Sequence, residues 1–455
     1  MELIMSNSAP KACTEFISYL DKLFDVSQDE INIIITDFHS EMQRGLCDHE
    51  SSLKMLPSFV DRPKGNEKGK FIALDLGGTN FRVLAVELDG NGNSKILAVK
   101  KFAIGEKNMK CDGKVLFDFI ASCIDKFLVE NKFNRKEIFD LAFTFSFPVD
   151  QTNIAAGKLI KWTKGFTAKG VEGMDVIVLL NNALERKKIN FIRVAALAND
   201  TVGTLVARSF NDPTCDIGVI LGTGTNACYP EKISNIKKWK GLKTNGNIII
   251  NMEWGNFNKL RCSEYDKILD ENSPNVGSQL FEKMISGMYL GEITRLVVCD
   301  LIKKELLFSG QKVYKNFNKK GGFLTEHMSL IALDGSNNLS EIEDFLSKKG
   351  VTGITLNDRI LLKHICELIS TRSAKLSAGA ISAVLTWMDP ELKFKHTVGI
   401  DGSLFEKYPD FSEKMDAVFK KLYGEKANNI NLVHAKDGSG KGAAIIAAVT
   451  AQSEK

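Results

Sequence analysis

Along the chain, short apolar runs end again and again in turns of small residues. Residues 71–74 form the first run. Asp75 and Leu76-Gly77-Gly78-Thr79-Asn80 follow it, and residues 81–88 form a second run. Two apolar runs joined by glycines predict a β-hairpin. Residues 217–221 repeat the device with Gly222-Thr223-Gly224-Thr225-Asn226. Residues 397–400 lead into Asp401-Gly402-Ser403. Residues 430–433 precede Asp437-Gly438-Ser439-Gly440-Lys441-Gly442 and an apolar helix over 443–451. Four strands with one kind of turn suggest a duplicated architecture that handles phosphate. Glycines let backbone N–H groups line a concavity that an anion can enter.

The rest of the pattern fills in around these turns. Phe16, Leu20, Leu23/Phe24, Ile31, Ile34/Ile35 and Phe38 recur at helical spacing within residues 13–56. A polar linker with proline and glycine over 61–69 reads as a boundary or hinge. A strand is predicted over 96–102 and an amphipathic helix over 115–129. In 141–148, Phe143, Phe145 and Phe147 alternate with Thr144 and Ser146, so one strand face is aromatic and the other carries hydroxyls. Pro148 ends that strand. Residues 191–196 read as a strand running into Asn199-Asp200-Thr201 and a helix-compatible stretch over 202–207. Residues 247–250 lead into Asn251-Met252-Glu253-Trp254-Gly255. A single helix over 278–308 would place Glu282 on one face with Ile285, Tyr289 and Ile293.

Composition narrows the class. With 455 residues, 44% hydrophobic and 25% charged, the chain is a globular protein of two or three domains, and a two-lobed enzyme fits. A net charge of +4 spread along the sequence gives no electrostatic support for nucleic-acid or membrane-surface partners. Nine cysteines without a C-x-x-C pair read as reduced thiols. The six histidines show no metal-ligand spacing. No membrane span is expected, since no apolar run approaches the ~20 residues a helix needs. The first residues lack the apolar segment of a signal peptide, so a soluble cytoplasmic protein is expected.

Several polar residues carry two readings each. Asp75 closes a turn or holds a hydrated divalent cation, which prefers oxygen ligands. Ser146 lies at a strand end, where α/β folds place ligand contacts. Lys161-Trp162-Thr163-Lys164-Gly165-Phe166 combines hydroxyl, ammonium and glycine in one loop. Asp200 is a carboxylate favoured near a helix N-terminus or a group with chemistry to do. Glu282, on an apolar stripe, needs partners: an ion pair or sugar hydroxyls. Two motif matches fail. Gly222-x-Gly224-x-x-Ala227 is no dinucleotide fingerprint, because Pro230 argues against the required helix. Gly438-Ser439-Gly440-Lys441 is no Walker A loop, because Ala435 replaces a required glycine and no hydroxyl residue follows the lysine.

Taken together, the motifs resemble the hexokinase/glucokinase family of the actin-like ATPase superfamily. The likeness runs from Leu53-Lys54-Met55-Leu56-Pro57 to Gly438-Ser439-Gly440-Lys441-Gly442-Ala443-Ala444. Leu74-Asp75-Leu76-Gly77-Gly78-Thr79-Asn80-Phe81-Arg82 looks like the family's first phosphate loop. Leu221-Gly222-Thr223-Gly224-Thr225-Asn226 looks like the second. Phe143-Thr144-Phe145-Ser146-Phe147-Pro148 with Trp162-Thr163-Lys164-Gly165-Phe166 looks like the sugar signature. Val398-Gly399-Ile400-Asp401-Gly402-Ser403 looks like the adenosine motif.

The resemblance implies a two-lobed α/β, ribonuclease H-like fold with a mixed sheet in each lobe and a cleft between. The large lobe would span 1–66 and 203–437 and the small lobe 70–200 and 440–455, with hinges near 63–69, 200–203 and 436–440. It implies ATP-dependent phosphorylation of a hexose, glucose foremost, at the 6-hydroxyl, the first step of glycolysis. Ser146, Phe147, Thr163, Lys164, Asn199, Asp200, Asn226, Glu253 and Glu282 would bind the sugar, whose vicinal hydroxyls pair with carboxylates, amides and ammonium groups. Asp200 would be the catalytic base, and Lys164 would stabilise the transferring phosphoryl. Asp75, through water, would hold Mg²⁺. Gly77, Gly78, Thr79, Asn80, Arg82, Thr223 and Gly224 would surround the phosphates. Thr325, Ser329, Gly402, Ser403 and Ser439 would contact the nucleotide. A monomer or homodimer is expected.

Two segments depart from the family pattern, both beside the expected sugar carboxylates. Asn256-Phe257-Asn258-Lys259-Leu260 replaces an acidic, glycine-containing segment, and Asn275-Val276-Gly277 stands where Asn-Pro-Gly is common. They bear on affinity and hexose preference, not on the reaction. Two other classes share part of the pattern. A sugar sensor on the same scaffold would bind hexose without transferring phosphate. A chaperone- or actin-like ATPase would have no use for Ser146, Lys164, Glu253 and Glu282.

Overall fold

The computed structural model describes residues 11–77, 80–162, 165–241, 245–436 and 438–453. Among the described residues, thirteen strands build two large sheets and one small one. The first large sheet contains β2 (Lys68–Leu76), β3 (Asn80–Asp89), β4 (Ser94–Ala103), β5 (Phe139–Phe145) and β8 (Ile192–Ala198), in the order β4-β3-β2-β5-β8. The second contains β1 (Leu56–Pro57), β9 (Cys215–Leu221), β10 (Thr225–Lys232), β11 (Asn247–Asn251), β12 (His396–Asp401) and β13 (Ile430–His434), in the order β1-β11-β10-β9-β12-β13. A two-stranded ribbon joins β6 (Val149–Asn153) to β7 (Ala156–Leu159).

Both large sheets are mixed. In the first, β2, β3 and β4 form an antiparallel meander, and β5 and β8 run parallel to β2. In the second, β9, β10 and β11 form the meander, and β12 and β13 run parallel to β9. This is the two-lobed plan with a mixed sheet in each lobe that the resemblance implies. The duplication visible in the turns is a duplication of whole sheets.

Helix starts follow local capping chemistry. Ser27, Asp112, Asp175 and Asn199 each accept a backbone N–H of the helix that follows. Thr355 and Asp358 form a capping box on the helix Leu356–Met388, whose 33 residues form the spine of the large lobe.

The expected elements fall close to their predicted places, with one clear correction. The helix expected over 278–308 is two helices, Leu280–Ile285 and Leu290–Lys303. The break has a tertiary cause. Gly287 N donates to Gly222 O at 2.7 Å and Met288 N to Thr223 O at 3.2 Å, so the chain leaves the helix to pair with the second glycine turn.

Three apolar clusters fill the interior. One lies inside the large lobe around the 28–46 and 356–388 helices, and one inside the small lobe against β2, β5 and the 113–130 helix. The third lies between the sheets, where the helices Asp200–Ser209 and Gly438–Ser453 cross. The crossing is possible because two glycines meet: a Cβ on Gly442 would stand 1.9 Å from Gly203 O. Among the described residues, no helix is long and apolar enough to cross a membrane.

Candidate active site

The site is assembled at the ends of the strands where the two sheets face each other. On the first sheet, Asp75 lies opposite Arg82 in the β2–β3 register. Its Oδ2 accepts from Arg82 Nε at 3.1 Å and Nη2 at 2.5 Å, and from Ser439 Oγ at 3.0 Å. Arg82 Nη2 also donates to Ser439 Oγ at 3.1 Å. Thr144, the β5 neighbour of Asp75, donates to Ser439 O at 3.3 Å. The first turn is thus bolted to the start of the C-terminal helix, 364 residues away in sequence. Each bond recorded for the Asp75 carboxylate among the described residues falls on Oδ2. Oδ1 keeps lone pairs for a metal-bound water, and such a donor suits a hard divalent cation.

The second turn is braced differently. Gly222 N donates to Gly224 O at 3.0 Å, and Thr225 N donates to Glu282 Oε2 at 3.0 Å. Trp254 Nε1 donates to Thr225 Oγ1 at 2.9 Å, and that hydroxyl donates to Ile220 O. A Cβ on Gly224 would come within 2.6 Å of Glu282 Oε2, so glycine there admits the carboxylate. Gly402 adopts φ 131°, and a Cβ would stand 2.4 Å from Leu221 O. That glycine packs the adenosine-like turn onto the second phosphate-like turn, with Ser403 directly after it.

Between the two turns lies a chain of amides and carboxylates. Asn199, the cap of the Asp200–Ser209 helix, accepts from Thr201 N at 2.9 Å and from Asn226 Nδ2 at 3.4 Å. Asn226 Nδ2 donates to Asn251 Oδ1 at 2.7 Å, and Asn251 Nδ2 to Glu253 Oε1 at 2.9 Å. Glu253 holds a left-handed backbone, φ 54° and ψ 48°, which costs a non-glycine residue about 1 kcal/mol or more and persists only where its surroundings enforce it. Asp200 occupies the first turn of its helix. The bonds recorded to its carboxylate, from Thr201 N at 2.9 Å and Thr201 Oγ1 at 3.3 Å, both fall on Oδ1.

Aromatic clusters support both sides. Phe38, Phe257, Phe281 and Trp254 pack beneath the two glutamates, with the Phe38 and Phe257 centroids 4.0 Å apart. Phe145, Phe147, Trp162 and Phe166 pack against one another on the first sheet's side. Phe147 is 2% exposed, so its ring belongs to this cluster. Ser146 N donates to Leu76 O at 3.0 Å, and a Cβ on Gly77 would lie 3.5 Å from Ser146 Oγ, which sets that serine beside the first turn.

Some expected residues lie outside the described residues, and two others have their hydroxyls engaged by backbone carbonyls. Gly78, Thr79, Thr163, Lys164 and the side chain of Asn80 lie outside them. Thr325 donates to Gly287 O at 2.6 Å and accepts from Gly291 N at 3.0 Å, so its proton is committed to the backbone beside the second turn. Ser329 donates to Lys407 O at 3.2 Å. Gly77, Thr223 and Gly224 stand at the two turns, with Gly402, Ser403 and Ser439 beside them.

Three residues join the site that the sequence reading left without a role. Asn251 completes the amide chain. Gln279 sits left-handed, φ 57°, with its Oε1 2.4 Å from where a Cβ on Gly255 would be. Asp401 ends β12, half-buried. Burial pushes its carboxyl up to about 6, with Asp200 adding to the rise and His434 and Arg82 opposing it. Asn251 and Asp401 stand inside motifs already quoted. Gln279 gave no local signal.

Comparisons with known proteins fit this geometry. Two family models, each described as hexokinase, match residues 17–210 and 216–449. Hexokinase-1 of Schizosaccharomyces pombe is 38% identical over 450 residues, which cover 97% of this chain and 92% of that protein. Hexokinase-2 of Rattus norvegicus is 40% identical over 439 residues, 93% of this chain and 47% of that protein. The chain therefore spans about half the length of the mammalian relatives it matches. A structure of hexokinase from Schistosoma mansoni complexed with glucose superposes with a TM-score of 0.86 at 36% identity, covering 96% of this chain and 99% of that one. A further hexokinase crystal structure gives 0.84 at 31%, covering 97% and 100%.

Proposed function

The chain belongs to the hexokinase family, and from that premise we propose that it transfers the γ-phosphoryl group of ATP to the 6-hydroxyl of a hexose, glucose foremost. The observation that carries this reading is convergence. Asp200, the Asn199–Asn226–Asn251–Glu253 chain, Glu282, and both glycine turns meet at facing strand ends. That set offers acceptors and donors for a ring of hydroxyls, a carboxylate with one oxygen unspent, and backbone concavities for phosphates.

The sugar O6 forms the new bond to phosphorus while the bond to the ADP oxygen breaks, and Asp200 accepts the O6 proton. Hydrogen bonds from hydroxyls to Glu253 and Glu282 fix the ring so that O6 points at the base, an orientation effect of large kinetic value. Arg82, tied to Asp75 and Ser439, places positive charge beside the first turn. In this reading Lys164 stabilises the transferring phosphoryl. Asp75 would hold Mg²⁺ through water, and the ion would supply charge neutralisation on the phosphates. In the same reading Thr79 and Asn80 would serve the first phosphate loop, and Thr325 and Ser329 would serve the nucleotide.

The lobes are proposed to divide at 63–69, 200–203 and 436–440, and their closure would exclude water as a competing acceptor. The protein is proposed to act in the cytoplasm as a monomer or homodimer, on the first reaction of glycolysis.

The test is glucose-dependent ADP formation by the full chain. Asp200→Ala is expected to lower kcat by about 10²–10⁴-fold while hexose still binds. Turnover in that variant equal to wild type overturns the assignment of the base. A wild-type chain that binds hexose and transfers no phosphate is a sensor instead.

A further inference from the structure

The carboxylate Glu282 and the amide Gln279 reach the site from a short helix and the loop before it. The helix Leu280–Ile285 has six residues and needs anchoring from outside. The anchor is Lys283, next in sequence to Glu282 and 2% exposed. Its Nζ donates to Asp270 Oδ1 at 2.6 Å and to Asn275 O at 2.8 Å. Asp270 in turn accepts from Gly277 N on both oxygens, at 3.1 and 3.0 Å. From the other side, Asn256 Oδ1 accepts from Gln279 N at 3.2 Å, and Asn256 Nδ2 donates to Ser52 O at 3.2 Å.

The loop inside this frame is a tight turn. Ser278 N donates to Asn275 O at 3.1 Å, and Gly277 has φ 74°. That is the pattern of a type II turn, in which glycine suits the third position and proline the second. Val276 occupies the second position and is 60% exposed. Its N–H donates to none of the described residues, so a proline there would cost no hydrogen bond. The two departures from the family pattern, at Asn256 and Val276, therefore both fall on the frame that carries Glu282 and Gln279.

We propose that Lys283 is a positioning residue for hexose binding and that position 276 tunes the same frame: the Asp270–Lys283–Asn275 clamp fixes the turn that aims Gln279 and Glu282, and valine leaves that turn less preorganised than proline would. This rests on the hexose-kinase reading. A buried ammonium held by one carboxylate and one carbonyl sets the rotation of its short helix. Glu282, one residue earlier, then meets Thr225 N in a fixed place.

The experiment measures hexose and ATP KM for the full chain and three variants. Lys283→Met is expected to raise the hexose KM about ten- to hundred-fold, the size a small misplacement of binding groups takes. Its ATP KM should rise by a clearly smaller factor, because the first phosphate turn is untouched and Glu282 braces the second only through Thr225 N. Lys283→Arg, which keeps the charge, recovers part of the loss. Val276→Pro is expected to lower the hexose KM about two- to five-fold by reducing the freedom of the unbound turn.

If Lys283→Met does not fold, Val276→Pro decides alone. Equal shifts of both KM values in Lys283→Met, or a hexose KM unchanged by Val276→Pro, overturn the proposal. A wild-type chain that forms no ADP with any hexose overturns the underlying activity instead.

Discussion

The first half of the chain extends the meander β2–β3–β4 through β5 and β8, and the second extends β9–β10–β11 through β12 and β13. In each half the last strand feeds a helix, Asp200–Ser209 in one and Gly438–Ser453 in the other. The strand ends then diverge. The first hairpin carries its own carboxylate, Asp75, and neutralises it with Arg82 from the opposite strand. The second hairpin has glycine and threonine there and borrows a carboxylate, Glu282, from a distant helix. The helices diverge in the opposite sense: the first half's begins with Asp200, and the second half's with Gly438 and Ser439. One scaffold used twice thus leaves the proposed base and the proposed metal-side carboxylate with the first half and the two proposed sugar glutamates, Glu253 and Glu282, with the second. Neither half holds a complete site.

The largest test of this comparison is at the crossing of the two helices. Both starts, Asp200 and Ser439, are located by the contact of Gly203 with Gly442. Gly442→Ala places a methyl 1.9 Å from a backbone oxygen, whereas Gly203→Ala meets Ser439 O at 2.9 Å. Overpacking a close contact costs about 1–3 kcal/mol, and more where backbone must move. Gly442→Ala is therefore expected to lose about 3 kcal/mol or more and to lower activity sharply. Gly203→Ala should lose less on both counts. Denaturant unfolding and ADP formation measured on the pair decide this, and equal effects would mean that the crossing does not set the helix starts.

The halves also differ in how much of each was legible in the sequence. Both hairpins are, because alternating apolar runs and glycine turns are local signals. Asp200 at a helix start is legible for the same reason, since Asn199 supplies a cap within the same short stretch. The bond between Ser439 and Asp75 is not, because nothing local relates residues 364 apart. The break in the 278–308 helix was missed because its cause is tertiary. A single glycine in a helical pattern costs only about 1 kcal/mol, and what decides at Gly287 is its pairing with Gly222 O. The left-handed Gln279 was missed likewise, since glutamine carries no turn signal. Its position follows from Asn256 and Lys283, neither of which stands out alone.

A smaller effect is expected at Asp401, the carboxylate that ends β12. Its counterpart on β5 is followed by Ser146, so an acid here belongs to the second half alone. Burial comes first among the causes that push it up to about 6. A carboxyl raised in the fold stabilises the protonated protein, and that contribution is lost as pH rises through the folded value. Asp401→Asn should therefore raise stability by about 1–3 kcal/mol above that pH, by less between 3.8 and that value, and change it little below 3.8. It should lower phosphoryl transfer at the same time, the trade expected when an active site carries a costly charge. Unchanged stability at neutral pH would mean that the carboxyl is better solvated than its position implies.

The smallest effect concerns the far ends of the sheets, where the halves again use different chemistry for one task. Asp140 on β5 faces Arg193 on β8 in register and pairs with it at 2.5 and 3.0 Å, half in solvent. An arginine carries its charge at any ordinary pH. On the second sheet, His396 at the start of β12 is buried between Asp216 Oδ2 at 2.7 Å and Asp389 Oδ2 at 3.3 Å. Burial alone would lower the imidazole, but hydrogen bonds and charge from Asp216 and then Asp389 outweigh it, and the net shift is upward. Asp389 moves down: burial opposes the shift, while Phe394 N and His396 outweigh it.

The signs fix the window. The histidine contribution is complete below the ordinary value of 6.5 and fades as pH rises through the higher folded value. The aspartate contribution is complete above 3.8 and fades only as pH falls through the lower folded value. Thermal unfolding should therefore show stability declining as pH rises above 6.5, and His396→Gln should flatten that decline while lowering stability below 6.5. Arg193→Gln should shift the curve without changing its slope. An identical slope above 6.5 in wild type and His396→Gln would show that the charge held between the two aspartates does not govern the second sheet.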